Sequence, residues 1–417
     1  MLDVLRNPTY RRLFTAQVVA LIGTGLLTIA LGLLAFDLAG GDAGIVLGIA
    51  LTIKMLAYVG VAPVVSALTS RVPRKLLLVS SDVLRAAVAI SLPFVTEAWQ
   101  IYVLIFVLQA ASATFTPAFQ ALIPDVLAKE SEYTRALSLS RLAYDLESLL
   151  SPILAAALLT VISYHSLFVG TALGFIGSAA LVISAVLPTM KPPAVTPFVD
   201  RLTRGARAFW RTPQLRALLA MNLVVAAATA MVIVNTVILV QNNLGRTQID
   251  FAITLASYGF GSMVVALGLP RVLDRYPDRR VMLAGSAILP VGLVAVALLA
   301  LAPASLPTWW GVLVVWFVLG AATSLILTPS ARLLRRYSDD TTRPAVFAAQ
   351  FSLSHACFII TYPLAGILGA TLGLTPTALI LAAIAGIAGI TAARSWTKPV
   401  PTGANSTPPL TAPPASP

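Results

Sequence analysis

Residues 13–36 read LFTAQVVALIGTGLLTIALGLLAF, a run of apolar and small residues without a charge, entered directly after Arg11 and Arg12. A bilayer core about 30 Å thick takes roughly 20 such residues as one helix, because lipid offers nothing to an unpaired backbone N–H or C=O. The run is too long for the apolar core of a secretory signal and reads as a membrane span. Comparable runs follow at 44–68, 75–94, 99–120, 138–162, 166–187, 215–240, 250–269, 281–302, 308–328, 347–370 and 376–393. The expectation is an all-α membrane protein of twelve transmembrane helices.

Composition agrees. Of 417 residues, 58% are apolar and 11% charged, less than half the charge of an ordinary soluble domain. The formal charge of +12 would suggest a nucleic-acid partner if the basic residues formed a face. Instead, all but Lys54, Arg85, Arg141 and Arg246 fall at alternate connections on one side. That is the pattern of cytoplasmic retention, so both termini are expected in the cytoplasm and no nucleic acid is expected as a partner. Trp99, Trp309, Trp310, Trp210 and Trp396 fall at the span ends, as an interfacial belt requires. One cysteine and two distant histidines leave no disulfide framework and no histidine-ligated centre, so neither a metal nor a cofactor is expected.

Residues 191–214, with Pro192, Pro193 and Pro197 and then a basic stretch ending in Phe209 and Trp210, read as a cytoplasmic linker whose second part is an interfacial helix. It divides a six-helix bundle at 1–190 from a second at 215–396. Residues 397–417, rich in Pro, Ser, Thr and Ala, read as a disordered tail. The halves echo each other. Ser70-Arg71-Val72-Pro73-Arg74-Lys75 recurs as Asp274-Arg275-Tyr276-Pro277-Asp278-Arg279-Arg280, Thr116-Pro117 as Thr328-Pro329, and Pro152 as Pro363. Parallel repeats of this kind mark a six-plus-six transporter.

At these residues the chain resembles the major facilitator superfamily, in particular the bacterial efflux branch that includes drug exporters and the enterobactin exporter. The resemblance runs over about residues 5–395. The family loop Gly-x-x-x-Asp-Arg-x-Gly-Arg-Arg/Lys stands here as Ser66, Ser70, Arg71, Pro73, Arg74 and Lys75, and in its second copy as Pro270, Asp274, Arg275 and Pro277. The resemblance implies an inter-bundle cytoplasmic latch at Ser70, Arg71, Arg74, Lys75, Asp274 and Arg275. A purely topogenic role is the alternative for the basic residues, which could also grip a helix C-terminus or anionic lipid headgroups. The family's glycine-rich antiporter motif looks like Glu147, Ser151, Pro152, Ala155 and Ala156 here, small residues that still allow close helix packing. Gln109 stands in helix four in place of the family's arginine. The resemblance also implies the major facilitator fold, a location in the plasma (bacterial inner) membrane, and a small-molecule substrate exported in exchange for protons by a monomer surrounded by lipids.

Ionisable groups inside the hydrocarbon are costly and usually face the bundle interior or a wet cavity. Asp82 with Arg85, and Arg141 with Asp145, lie three and four residues apart and can pair along one helix face. At 1.5 Å rise per residue, Lys54 and Glu147 come to about 15 and 18 Å from opposite membrane faces, which is one depth. Two readings stand for them: they line the central cavity and handle substrate or a proton, or they form a buried ion pair that holds helices two and five. Asp145, Gln109, Asn222, Asn235 and His355 complete the candidate substrate and proton pathway, with interhelical hydrogen bonding as the alternative for the amides and the histidine.

No phosphate-cradling Gly-x-x-x-x-Gly-Lys-Ser/Thr run and no His-Glu-x-x-His or Gly-x-Ser-x-Gly pattern occurs, which disfavours an ATP-driven pump and a membrane enzyme. The expected function is secondary active transport by alternating access, with proton-coupled efflux of a small amphipathic compound. A siderophore or metal-ion exporter of the same superfamily and a transport-inactive sensor or scaffold are the alternatives.

Overall fold

The computed structural model describes residues 2–61, 72–127, 130–187, 207–338 and 343–396. Twelve long helices occupy them, in the order read from the apolar runs: α1 (Pro8–Ala39), α2 (Ala43–Leu56), α3 (Arg74–Ser91), α4 (Ala98–Val126), α5 (Glu130–Leu158), α6 (Tyr164–Ser184), α7 (Pro213–Val237), α8 (Gln248–Leu273), α9 (Asp278–Leu301), α10 (Leu306–Arg336), α11 (Arg343–Thr371) and α12 (Leu374–Ser395). Nine stretches among the described residues are long and apolar enough to cross a membrane, the first of them, Pro8–Gly60, holding both α1 and α2. The apolar part of α4 is shorter, at Ala98–Ala113. α5 is absent from the set because it carries Glu130, Glu132, Arg135, Arg141, Asp145 and Glu147.

Several helices outrun their apolar runs. α5 begins at Glu130 rather than 138, and α10 continues through Arg332, Arg335 and Arg336. Hydrophobicity marks where a helix sits in lipid, whereas helix length is set by caps and by good helix formers that continue into water. α1 starts at Asn7, whose side chain accepts from the N–H groups of Thr9 and Tyr10 at 3.0 and 3.1 Å, with Pro8 opening the first turn. α2 and α7 end in widened π-helical turns, Ala57–Val61 and Ile238–Asn243. Of the expected linker, residues 207–211 are helical, with Phe209 buried and Trp210 exposed. Residues 188–206 and the expected tail at 397–417 lie outside the described residues.

Packing follows a twofold rule. α1 lies along α5 and α6, and α3 along α4 and α6; six helices on, α7 lies along α11 and α12, and α9 along α10 and α12. The two seams that join the halves obey it as well, since α2 packs on α11 and α5 on α8. α3, α6, α9 and α12 turn Val83, Leu173, Val291 and Ile387 outward, the surface a helix presents to lipid. α7 is enclosed, with Met221, Val224, Ala228 and Val234 fully buried. Two of the expected belt tryptophans are packed instead: Trp396 is buried, and Trp309 is covered by the Arg246 guanidinium 4.0 Å above its ring. Trp99, Trp210 and Trp310 are exposed.

The α2–α11 seam is a backbone contact. A Cβ on Gly366 would lie 2.1 Å from the Gly44 carbonyl oxygen, and one on Gly48 would lie 2.7 Å from that of Tyr362. Helices approach this closely only where side chains vanish. Gly366→Leu is therefore expected to force the seam apart and cost about 1–3 kcal/mol by overpacking. Thermal unfolding of the detergent-solubilised variant checks this, and an unchanged melting temperature would contradict the contact.

Candidate functional site

Lys54 sits near the end of α2, four residues before Tyr58 in the π-helical turn. It lines a small cavity between α1, α2, α4 and α7. The walls are Thr24, Leu27, Thr28 and Leu31 of α1, Leu47, Leu51 and Lys54 of α2, Ile105 and Gln109 of α4, and Ile233 of α7. The two threonine hydroxyls donate to their own helix, Thr24 to the Ala20 carbonyl at 2.9 Å and Thr28 to the Thr24 carbonyl at 3.1 Å. An aliphatic cleft with a few fixed polar groups has the chemistry of a small-molecule site.

Glu147 of α5 approaches from behind the α1 wall. Its Oε1 would lie 2.6 Å from a Cβ on Gly25, beside the Ser151 hydroxyl at 2.1 Å, so the missing side chain on α1 makes room for both. Lys54 and Glu147 attract each other electrostatically, yet no ion pair closes between them among the described residues. Tyr58 lies within electrostatic reach of Glu147, Tyr144 and Arg85. His355 of α11 tilts against the Tyr58 ring at 5.5 Å, lies within the field of Lys54, and holds Nδ1 2.7 Å from the Phe351 carbonyl. Lys54, Glu147, Gln109 and His355, expected from sequence, thus surround one region. Tyr58, Thr24 and Thr28 join them without a sequence signal, since none is charged and a span tolerates each anywhere.

The remaining candidates lie elsewhere. Asn222 and Gln350 form a reciprocal amide pair between α7 and α11 at 3.1 and 3.2 Å. Asn235 donates to the Ala365 carbonyl at 3.1 Å and fills the space beside Gly369. Neither asparagine lines the cavity; both tie α7 to α11. Ser70 and Arg71 lie outside the described residues, as do the side chains of Arg141 and Asp145. Asp82 and Arg85 pair along α3, and the guanidinium lies over the rings of Phe115 and Phe175 at 4.4 and 4.5 Å.

At the end where α1 begins, Lys75 donates to the Ala185 carbonyl closing α6 at 2.9 Å, and Arg279 to the Ala393 carbonyl in the last turn of α12 at 3.4 Å. Each cation grips the negative end of a helix in its own half. Arg74 is partly buried beside Lys75, and Asp274 and Arg275 are exposed. Asp278, buried at the start of α9, pairs with Arg332 and Arg336 of α10 at 3.6 and 3.9 Å. Among the described residues no three His, Cys, Asp or Glu side chains gather as a metal site would require.

Twelve long helices in two pseudo-symmetric halves, with an amphipathic cavity among them, define a polytopic helical membrane fold. The chain belongs to the Major Facilitator Superfamily, whose family model matches residues 13–289 and 218–416. It is 32% identical to an MFS-type transporter of Bacillus subtilis (YfiS) over 132 residues, 32% of this chain and 30% of that one, and so matches less than a third of that relative's length. It is 22% identical over 289 residues to macrolide efflux protein A of Streptococcus pyogenes, covering 67% of this chain and 70% of that protein. The fold is similar to that of the nucleoside transporter NupG at a TM-score of 0.70, with 13% identity over 93% of this chain and 98% of that one. It is also similar to an inward-facing bacterial homologue of the human lysosomal transporter Spinster at a TM-score of 0.71, with 13% identity over 94% and 99% of the chains.

The Asp82–Arg85 pair makes a prediction about stability. Removing one member of a buried pair leaves an uncompensated charge and costs about 3–5 kcal/mol. Arg85→Met should therefore lower folded yield and melting temperature sharply, and adding Asp82→Asn should recover part of the loss. Equal instability of the single and double variants would assign Arg85 to packing against Phe115 and Phe175 instead.

Proposed function

We propose that the protein is a secondary active transporter that exports a small amphipathic compound by alternating access, coupled to protons. The observation that carries this reading is that Lys54 lines a largely aliphatic cavity between the halves and attracts Glu147 electrostatically. A carboxylate held in hydrocarbon and facing an ammonium without a closed ion pair is poised to gain or lose a proton as the cavity changes its opening. The similarity to a macrolide efflux protein supports export.

In this reading residues 1–190 and 215–396 are two rocking units that part along α2–α11 and along α5–α8 in turn. Each seam holds one side shut while the other admits substrate, and the cavity lies between. Both termini lie in the cytoplasm, where the basic loops meet lipid headgroups, and one copy of the chain suffices in the plasma membrane. Differential binding of the substrate to the two arrangements supplies the shift in population.

Purified protein in proteoliposomes with an imposed pH gradient tests the proposal. Wild type should move a fluorescent amphipathic compound against its gradient with an accompanying pH change. Glu147→Gln should insert and purify normally while losing pH-driven transport by at least about tenfold, the range of a general acid–base group or more. Normal transport by that variant would remove Glu147 from the coupling.

A further inference from the structure

Two hydrogen-bond donors face the cavity with nothing to donate to. The Lys54 ammonium has no ion pair and no hydrogen bond among the described residues, and the carboxamide of Gln109, 4% exposed, has no hydrogen-bond partner among them either. Neither nitrogen is sealed off among the described residues, so each can still donate to an acceptor that reaches it. The Thr24 and Thr28 hydroxyls donate to their own helix and form no hydrogen bond with either group among the described residues. Glu147 is the nearby carboxylate, but it is held behind the wall against Gly25 rather than in the space. Among the described residues no acidic side chain lines the cavity.

We infer that the substrate of this cavity is an amphipathic anion. A carboxylate or sulfonate head takes the Lys54 ammonium and the Gln109 amide, and an apolar body lies among Leu27, Leu31, Leu51 and Ile105. The inference rests on reading the cavity as the transport site. Charge-assisted hydrogen bonds are shorter and about twice as strong as neutral ones, so the head sets the preference for charge. A cationic compound of the same shape meets the Lys54 charge unopposed and is repelled.

Three compounds with one ring system and different charge separate the possibilities: 2-naphthoate, 2-naphthamide and 2-naphthylmethylammonium, titrated calorimetrically into the purified full-length protein. The naphthoate should bind saturably at one site, with the amide and the ammonium weaker on the order of tenfold or more, as expected for a hydrogen bond to a charged group. Lys54→Met should remove that preference and leave the amide's affinity in place, whereas Lys54→Arg should keep it. Glu147→Gln should strengthen naphthoate binding severalfold by removing the competing carboxylate. Equal binding of the three compounds by wild type, absence of saturable naphthoate binding, or an unchanged naphthoate affinity in Lys54→Met each overturns the inference. If the Met variant fails to fold, the wild-type charge series and Lys54→Arg decide. Saturable naphthoate binding by a protein that moves nothing across proteoliposomes would strike the transport reading alone. Transport without any preference for charge would strike the anion alone.

Discussion

Inside hydrocarbon nothing but the protein can satisfy a polar group, and every level of this structure answers to that constraint. The backbone meets it by forming helices throughout the membrane. The small hydroxyls meet it by donating to the preceding turn, as Thr24, Thr28 and Thr52 do. The amides meet it across helices, Asn222 with Gln350 and Asn235 with the Ala365 carbonyl. Arg85 meets it with Asp82 and two aromatic faces. Lys54 and Gln109, which both line the cavity, make no hydrogen bond among the described residues.

α2 carries both the closed seam and the open site. Gly44 and Gly48 lie against the backbone of α11, and six residues beyond Gly48, about 9 Å along the axis, Lys54 enters the cavity. One turn further the helix widens at Ala57–Val61, and Tyr58 meets His355 of α11. Widened turns break the regular ladder and often accompany functional residues. One helix thus carries both the contact between the halves and one side of the cavity. α7 reinforces the same region, since Ile233 forms part of the cavity wall while Asn235 ties the helix to α11.

Charge at the end where α1 begins does local work within each half. Lys75 closes the end of α6 and Arg279 the end of α12, so two short, divergent copies of one loop retain one physical task. The carbonyls of a helix's last turn have no partner in the helix itself, and a cation placed there satisfies one and opposes the negative pole. Loss of the family's glycines and of the first carboxylate leaves this task intact, because it needs only a basic side chain five residues after the start of the repeat.

The helices, their number and their order were legible in the sequence, because hydrophobicity and helical rise act along the chain. The proline at 152 and its echo at 363 placed α5 and α11 in equivalent positions for the same reason. The ends of the helices were less legible, since Glu130 and Arg336 extend helices that apolar runs alone would stop. Which polar residue faces space and which faces a neighbour was decided only in three dimensions. Asn222 and Gln109 look alike in an apolar run, yet one meets Gln350 and the other meets the cavity. Trp309 could have lain in the interface until Arg246 covered it. Glu147 stands behind the wall because Gly25 leaves room there. Such outcomes depend on rotation about helix axes and on the absence of single side chains across an interface, and those are properties of the packed assembly.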